Sequence, residues 1–246
     1  MLDENDGWAV TAASIEAVRA AGIAHGLPFI AAQSDLGDPE PMCDAAGRPY
    51  AETSFQWVDP ANHYWRNRRL ALDSPFLHAA RLTAEPFHYA EGYLRSWRPT
   101  ALLDGIDCSR VASTTGIQAA IIAPAHLPRG MVGAVVWAAR DPIDVAAVFD
   151  RHAEHLHALA LKLVASHAEA SGRPRHAAEP TALTRREVQC LRWAAAGKTD
   201  GEIGIILSLS VSTVRFHLRN AGAKLGATGR AQAIQTAAGL GFVGAR

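Results

Sequence analysis

Arg215, His217, Arg219 and Lys224 fall within STVRFHLRNAGAKLG (212–226), a stretch that holds no carboxylate. The whole chain has 24 basic and 24 acidic residues, so such a strip needs an anion of its own to meet. Arginines four residues apart on a helix point the same way, and each carries a planar fork of donors that matches a guanine edge or a phosphate. At the helical period, Val214, Leu218, Ala221 and Leu225 form one apolar stripe. The other side carries Arg215, Phe216, Arg219, Asn220 and Ala223, with His217 and Lys224 on its flank. A solvated helix face normally mixes charge signs, and this one does not. One helix fits a DNA major groove, so the pattern predicts duplex DNA, with Phe216 placed to touch a thymine methyl group.

Several short helices must hold that strip. TRREVQCLRWAAAG opens on Thr184 with Glu187 three residues on, a capping box that satisfies free N–H groups, and Gly197 closes it. TDGEIGIILSLS repeats the device with Thr199 and Glu202. A third helix is predicted to start after Ser210 or Ser212 and a fourth after Thr228, which are the proportions of a helix-turn-helix domain.

Charge then divides the chain. Residues 182–246 hold nine Lys and Arg against three acids, a balance of +6, so the remainder carries −6. A basic segment joined to an acidic one is the composition of a nucleic-acid module attached to something else. SHAEASGRPRHAAEPTA (166–182) is small and polar without apolar periodicity and reads as a linker. The expected division is 1–168, a linker over 169–181, and 182–246.

Before the linker, Ile143, Val145, Val148, Phe149, His152, Leu156, Leu159 and Leu163 follow one helical stripe, predicting a long helix over about 142–168. TGIQAAIIAPAH and PRGMVGAVVWAAR, separated by Pro128 and Gly130, read as neighbouring antiparallel strands. PFIAAQSD and YAETSFQWV read as further strands, and 7–26 and 74–84 as amphipathic helices. The expected class is α+β, with an N-terminal α/β/α sandwich on a mostly antiparallel sheet and a C-terminal four-helix helix-turn-helix domain.

From Leu183 to Ile234 the chain resembles the C-terminal domain of LuxR-type transcriptional regulators. The match runs through Leu183, Thr184, Arg186, Glu187, Leu191, Trp193, Gly197, Lys198, Thr199, Glu202, Ile203, Leu207, Ser210, Thr213, Val214, His217, Leu218, Asn220, Lys224, Leu225, Arg230 and Ala233. The resemblance implies that Glu187, Leu191 and Gly197 hold the domain together and that the helix bearing Arg215 and Arg219 enters the groove. The expected DNA-binding set is Lys198, Thr199, Thr213, Arg215, Phe216, His217, Arg219, Asn220 and Lys224. Of these, Lys198, Thr199, His217 and Lys224 are expected on the phosphate backbone. Two such domains related by a two-fold axis match a palindromic site, so a homodimer is expected, with helix 142–168 as its contact. Gly201 and Gly204 depart from the pattern. Each should cost its helix up to about 1 kcal/mol relative to Ala, predicting a domain of reduced stability.

The front part, over about residues 10–165, is similar to the autoinducer-binding domain of quorum-sensing regulators. SPFLHAARLTAEPFHY carries the likeness, with Ser74 and Pro75 on the family's Asp-Pro, Ala80 on a small helix residue, and Pro86 and Phe87 on its Pro-Phe. The family Tyr then falls on Trp65, its Trp on Ala61 and its final Trp on Tyr89. Ala120 and Val136 fall where a Gly and a Ser or Thr are expected. The resemblance implies that the Trp at Ala61 and the Asp at Ser74, which hold the lactone carbonyl and the amide of an acyl-homoserine lactone, are both replaced. A one-residue shift instead puts Asp73 on the family Asp and Tyr64 on its Tyr, but misplaces Pro75, Pro86 and Phe87. The candidate ligand-binding set is Trp57, Ala61, Tyr64, Trp65, Asp73, Ser74, Phe87, Tyr89 and Val136.

The expected function is a ligand-responsive, DNA-binding transcriptional regulator that senses a small molecule other than a standard acyl-homoserine lactone, in the manner of "solo" regulators. The alternatives are a lactone receptor using Asp73, a ligand-independent regulator and a heterodimerising anti-activator. A phosphorylation receiver fails, because Lys162 is the one lysine before the linker and no βαβ units are read.

Other chemistries find less support. HAEHLH places His152 and His155 one turn apart, but no further ligand cluster completes a metal site, and neither metal nor cofactor is expected. With no G-x-S-x-G, Gly-rich phosphate loop or H-E-x-x-H, no catalytic residues and no enzyme are expected. Cys43, Cys108 and Cys190 are widely spaced, which fits a reducing compartment. The N-terminus does not read as a signal peptide. Pro124, His126, Pro128 and Arg129 interrupt the most apolar stretch, so no membrane span and a cytoplasmic location are expected.

Overall fold

A computed structural model describes residues 4–58, 74–172 and 182–244. They form two compact units, a sheet-based front unit and a helical C-terminal unit, each described by itself. Among the described residues no helix is long and apolar enough to cross a membrane.

The front unit is built on five strands, β1 (Phe29–Gln33), β2 (Phe87–Ala90), β3 (Tyr93–Arg95), β4 (Ala119–His126) and β5 (Val132–Ala139). Their order is β1-β5-β4-β2-β3 and every neighbouring pair is antiparallel. β4 and β5 are the two neighbouring strands read from the sequence, in register from Ala119↔Ala139 to His126↔Val132. Both are buried along nearly their whole length. Helices α1 (Glu4–Ala24), α2 (Tyr50–Thr53), α3 (Pro75–Leu82), α4 (Ala101–Asp104), α5 (Val111–Thr115) and α6 (Val145–Ala170) complete the unit.

The sheet separates two apolar layers. On the first face Ile30, Ile121, Val135 and Trp137 pack with Ile15 and Val18 of α1 and with Phe149, Leu156 and Leu163 of α6. The Trp137 indole N–H donates to the Val18 carbonyl at 2.9 Å, joining sheet to helix. At Gly133 an added Cβ would lie 2.6 Å from Val164 and 2.8 Å from two backbone carbonyls, so only glycine allows this approach. On the second face Phe87, Tyr89, Ala120, Ile122, Val136 and Ala138 meet Phe76, Ala79 and Ala80 of α3, Leu103 of α4 and Val111 of α5.

Two expectations are corrected here, and one hairpin that was not expected is added. YAETSFQWV does not start a strand; its first four residues are α2, and the N–H groups of Ser54 and Phe55 both donate to the Tyr50 carbonyl. Its buried residues are Tyr50, Phe55 and Val58, and spacings of five and three do not alternate as one face of a strand does. The hairpin β2–β3 went unread because its strands are only four and three residues long. Its two-residue loop, Glu91 at φ 52 and Gly92 at φ 86, has the doubly positive backbone that the strand twist favours. Second, α6 runs from an Asp144 cap that accepts from Ala147 N–H, and the apolar stripe offered as a dimer contact (Val145, Phe149, Leu156, Leu163) is spent inside its own unit. α6 also continues to Ala170, into the expected linker, of which 173–181 lie outside the described residues.

The C-terminal unit is four helices, α7 (Arg185–Ala195), α8 (Asp200–Leu207), α9 (Val211–Lys224) and α10 (Arg230–Gly239). Both capping boxes form, and the Ser210 hydroxyl accepts from Thr213 N–H to start α9. Gly197, at φ 79, follows α7 in the left-handed region that favours glycine. Leu191, Ala221, Ala233 and Ala237 make one buried cluster, and Cys190, Ala194, Ile203 and Val214 another. Gly204 corrects the expectation that both α8 glycines are defects. An added Cβ there would lie 2.7 Å from the Leu209 carbonyl, where α8 turns toward α9. Nothing crowds Gly201, so the helix-propensity argument applies there alone.

Candidate nucleic-acid interface and ligand layer

Packing decides which side of α9 faces out. Val214 and Ala221 are fully buried, and Leu218 and Leu225 pack partly against the other helices. Arg215, Phe216 and Arg219 are exposed on the opposite side, while His217 and Asn220 are half-buried on its margins. Phe216 keeps 50% of its surface in contact with solvent. The Arg219 guanidinium lies 6.0 Å from its ring centroid, and His217 sits edge-on at 5.7 Å.

The strip lacks acids in sequence but not in space. Arg215, whose side chain is 72% exposed, donates from Nε to Asp200 Oδ2 at 3.2 Å. Asp200 Oδ1 accepts from Arg230 Nη1 at 2.6 Å, and Arg230 Nη2 donates to the Lys198 carbonyl at 2.5 Å. One carboxylate from α8 therefore joins arginines of α9 and α10.

Three of the predicted phosphate contacts also bond within the fold. Lys224 Nζ donates to Glu187 Oε2 at 2.9 Å and to the Ala182 carbonyl at 3.2 Å. Burial pushes the Glu187 carboxyl up, but the Thr184 N–H and the Lys224 ammonium outweigh it and hold it below the ordinary range. Thr199 donates from its backbone N–H and its hydroxyl to Glu202 Oε2, at 2.8 and 2.9 Å, and Lys198 Nζ reaches Oε1 at 3.2 Å. Those donors, the Thr199 backbone first, pull the Glu202 carboxyl down to about 2. Thr213 is tied to the Ser210 cap.

In the front unit, strand alternation brings Phe87, Tyr89 and Val136 to the second face, where Trp57 packs against them. Phe87 pairs with Ile122, whose partner on the far side is Val136, and Tyr89 pairs with Ala120, whose far partner is Ala138. Phe76 of α3 meets the Tyr89 ring at 5.2 Å. Burial raises the Tyr89 phenol above its ordinary value, against opposing hydrogen bonds from backbone at Ala112 and Gly92. Ser74 caps α3 by position, without a hydroxyl bond to the helix start. Ala61, Tyr64, Trp65 and Asp73 lie outside the described residues. Of the HAEHLH histidines, His152 and His155 both approach His25, whose pKa burial and then these two rings hold down, while His157 turns away. His152 stacks on His25 of the α1 end at 4.1 Å, and His157 Nε2 lies 2.9 Å from the Pro124 carbonyl. Among the described residues no group of three possible ligands is placed for a metal.

Residues 181–237 match the family model for bacterial regulatory proteins of the luxR family, and residues 57–169 match that for the autoinducer binding domain. The chain carries a luxR-family regulatory domain and an autoinducer binding domain. Similar proteins include the transcriptional activator VanR of Vibrio anguillarum, 38% identical over 143 residues that cover 57% of this chain and 58% of VanR. The quorum sensing-dependent regulator VjbR of Brucella ovis is 56% identical over 61 residues, 25% of this chain and 24% of VjbR. The chain thus spans 58% and 24% of the length of these curated relatives. The crystal structure of Escherichia coli SdiA aligns at 22% identity over 74% of this chain and 72% of its own, with a TM-score of 0.40.

In the luxR-type domain the sequence reading missed Asp200 and Arg230 as parts of the basic face. Asp200 is an acid among basic residues and Arg230 lies at the start of another helix, so neither carries a local signal. Buried polar side chains of the front unit, including Ser14, Ser34, His88 and His167, were also unread. His167 connects α6 to the β1 end and the following loop, its ring nitrogens 2.9 Å from Ser34 Oγ and the Cys43 carbonyl.

Proposed function

We propose that the protein is a DNA-binding regulator of transcription that responds to a small molecule, with residues 1–168 sensing and 182–246 binding DNA. The observation that carries this reading is α9, anchored by Val214 and Ala221 and presenting Arg215, Phe216 and Arg219 outward. Lys198, Thr199, Thr213, His217, Asn220 and Lys224 complete the contact surface, those on its rim meeting phosphate. Two copies related by a two-fold axis read a palindromic promoter site.

The test is selection of an operator from random duplex DNA by the full chain, followed by titration at several salt concentrations. Arg215→Ala and Arg219→Ala should each lose about 1–3 kcal/mol on the selected site if they read bases in bidentate fashion. Affinity should fall steeply with salt, because neutralised phosphates release counterions. Unchanged affinity in both variants would reject this face as the reader.

The second sheet face holds the signal. Trp57, Phe87, Tyr89 and Val136 share one apolar layer with the small residues Ala120 and Ala138, which supports a ligand more aromatic or less polar than a standard acyl-homoserine lactone. Ala61, Tyr64, Trp65 and either Asp73 or Ser74 belong to the same site in this reading. Thermal shift against a panel of lactones and aromatic metabolites tests it. Several degrees of stabilisation by a submicromolar acyl-homoserine lactone would overturn the ligand class. Loss of that shift in Asp73→Asn but not in Ser74→Ala would make Asp73 the lactone's acceptor.

A further inference from the structure

An exposed arginine samples many rotamers, and a reader of bases gains by being held in one. Arg215 is held. Its Nε–H is spent on Asp200, and one Nε contact leaves both Nη groups outside that bond. Asp200 is in turn held from its other oxygen by Arg230, which is tied to the backbone at Lys198. The support thus crosses α8, α9 and α10, while the second outward arginine, Arg219, lies over Phe216. A carboxylate facing DNA costs affinity for any duplex, since it repels phosphate wherever the protein lands. Two guanidinium groups around one carboxylate leave this cluster a single net positive charge.

We infer that Asp200 is a positioning residue that sets sequence specificity, directing the Nη groups of Arg215 at one base pair while lowering affinity for unrelated DNA. The inference rests on the reading of α9 as the DNA-reading helix. It assigns Arg230 the task of holding Asp200 in place, and it divides the two arginines into a fixed reader and an adaptable one.

The experiment uses the full chain. Wild type, Asp200→Asn, Asp200→Ser and Arg215→Ala are titrated against the selected operator and a scrambled duplex, and the operator selection is repeated with each variant. Both Asp200 variants should lose about tenfold in the ratio of specific to non-specific affinity. Binding to the scrambled duplex should tighten, and preference should relax at the base pair that also relaxes in Arg215→Ala. Adding Asp200→Asn to Arg215→Ala should lower the ratio no further. A parallel fall in specific and non-specific binding would make Asp200 merely structural and overturn the inference. Unchanged base preference in both Asp200 variants would overturn it while leaving the DNA reading intact. If wild type selects no operator at all, the DNA reading falls and this inference with it.

Discussion

Glu187 shows how the cost of burying a single carboxylate is offset: the Thr184 N–H and the Lys224 ammonium both bond Oε2. Because its folded value lies below the ordinary one, its stabilisation is present above the unfolded pKa of about 4.3 and is lost as pH falls through the folded value. Amide hydrogen exchange in α7 and α9 should therefore accelerate, relative to the intrinsic rate, as pH is lowered from 6 to 3. Glu187→Gln should be less protected at pH 6 and show a flatter dependence, with Glu202, near 2, keeping the remainder. A dependence as steep as that of wild type would show that Glu187 is not the group that titrates. Lys224→Met leaves the buried carboxylate without its ammonium and should cost about 1–3 kcal/mol in the same measurement.

Among the elements, α8 is the one whose composition misleads. Its two glycines look alike in sequence and do opposite things. Gly201 has open space around it, so Gly201→Ala should stabilise the C-terminal unit by about 0.5–1 kcal/mol through helix propensity and a less free unfolded chain. Gly204 faces the Leu209 carbonyl at the helix-turn-helix corner, and its own carbonyl accepts from Leu209 N–H at 2.8 Å. Gly204→Ala should therefore destabilise, despite the same propensity gain. Denaturant dependence of exchange in α7–α10 measures both, and a stabilised Gly204→Ala protein would show that the corner yields at little cost. α6 teaches the same caution, since its apolar stripe seals a core instead of advertising a partner.

At the scale of the molecule, the roles proposed for sensing and for DNA binding fall to separate compact units, so the proposal requires coupling between them. A ligand that stabilises the front unit should change operator affinity by about 5–150-fold, and the operator should change ligand affinity by the same factor. Calorimetric titration in both orders measures this, and a ligand that leaves operator affinity unchanged would remove the ligand-responsive part of the proposal. The proposed two-fold operator would take two reading helices, with half-site centres about 10 base pairs apart or a multiple of that. Sedimentation at micromolar concentration should show a dimer on such a site. A monomer bound to one half-site would limit the proposal to a single helix-turn-helix.

By itself the sequence determined α7 to α10, because their signals are local. A capping box closes over three residues, a glycine stop needs one, and the stripe through Val214, Leu218, Ala221 and Leu225 repeats within each turn. Local apolar runs likewise located β4 and β5 with the turn between them. Tertiary structure decided whatever depends on the chain's return. Asp200 meets Arg215 across fifteen residues, Arg230 meets Lys198 across 32, and Glu187 meets Lys224 across 37. The gathering of Trp57, Phe87, Tyr89 and Val136 on one sheet face needed the β2–β4–β5 register, which no single strand encodes. Whether a glycine is a flaw or a necessity depended on a carbonyl five residues further along. Hydrogen bonds within a turn can be read along the chain, whereas contacts between distant residues exist only after packing has chosen which surfaces face each other.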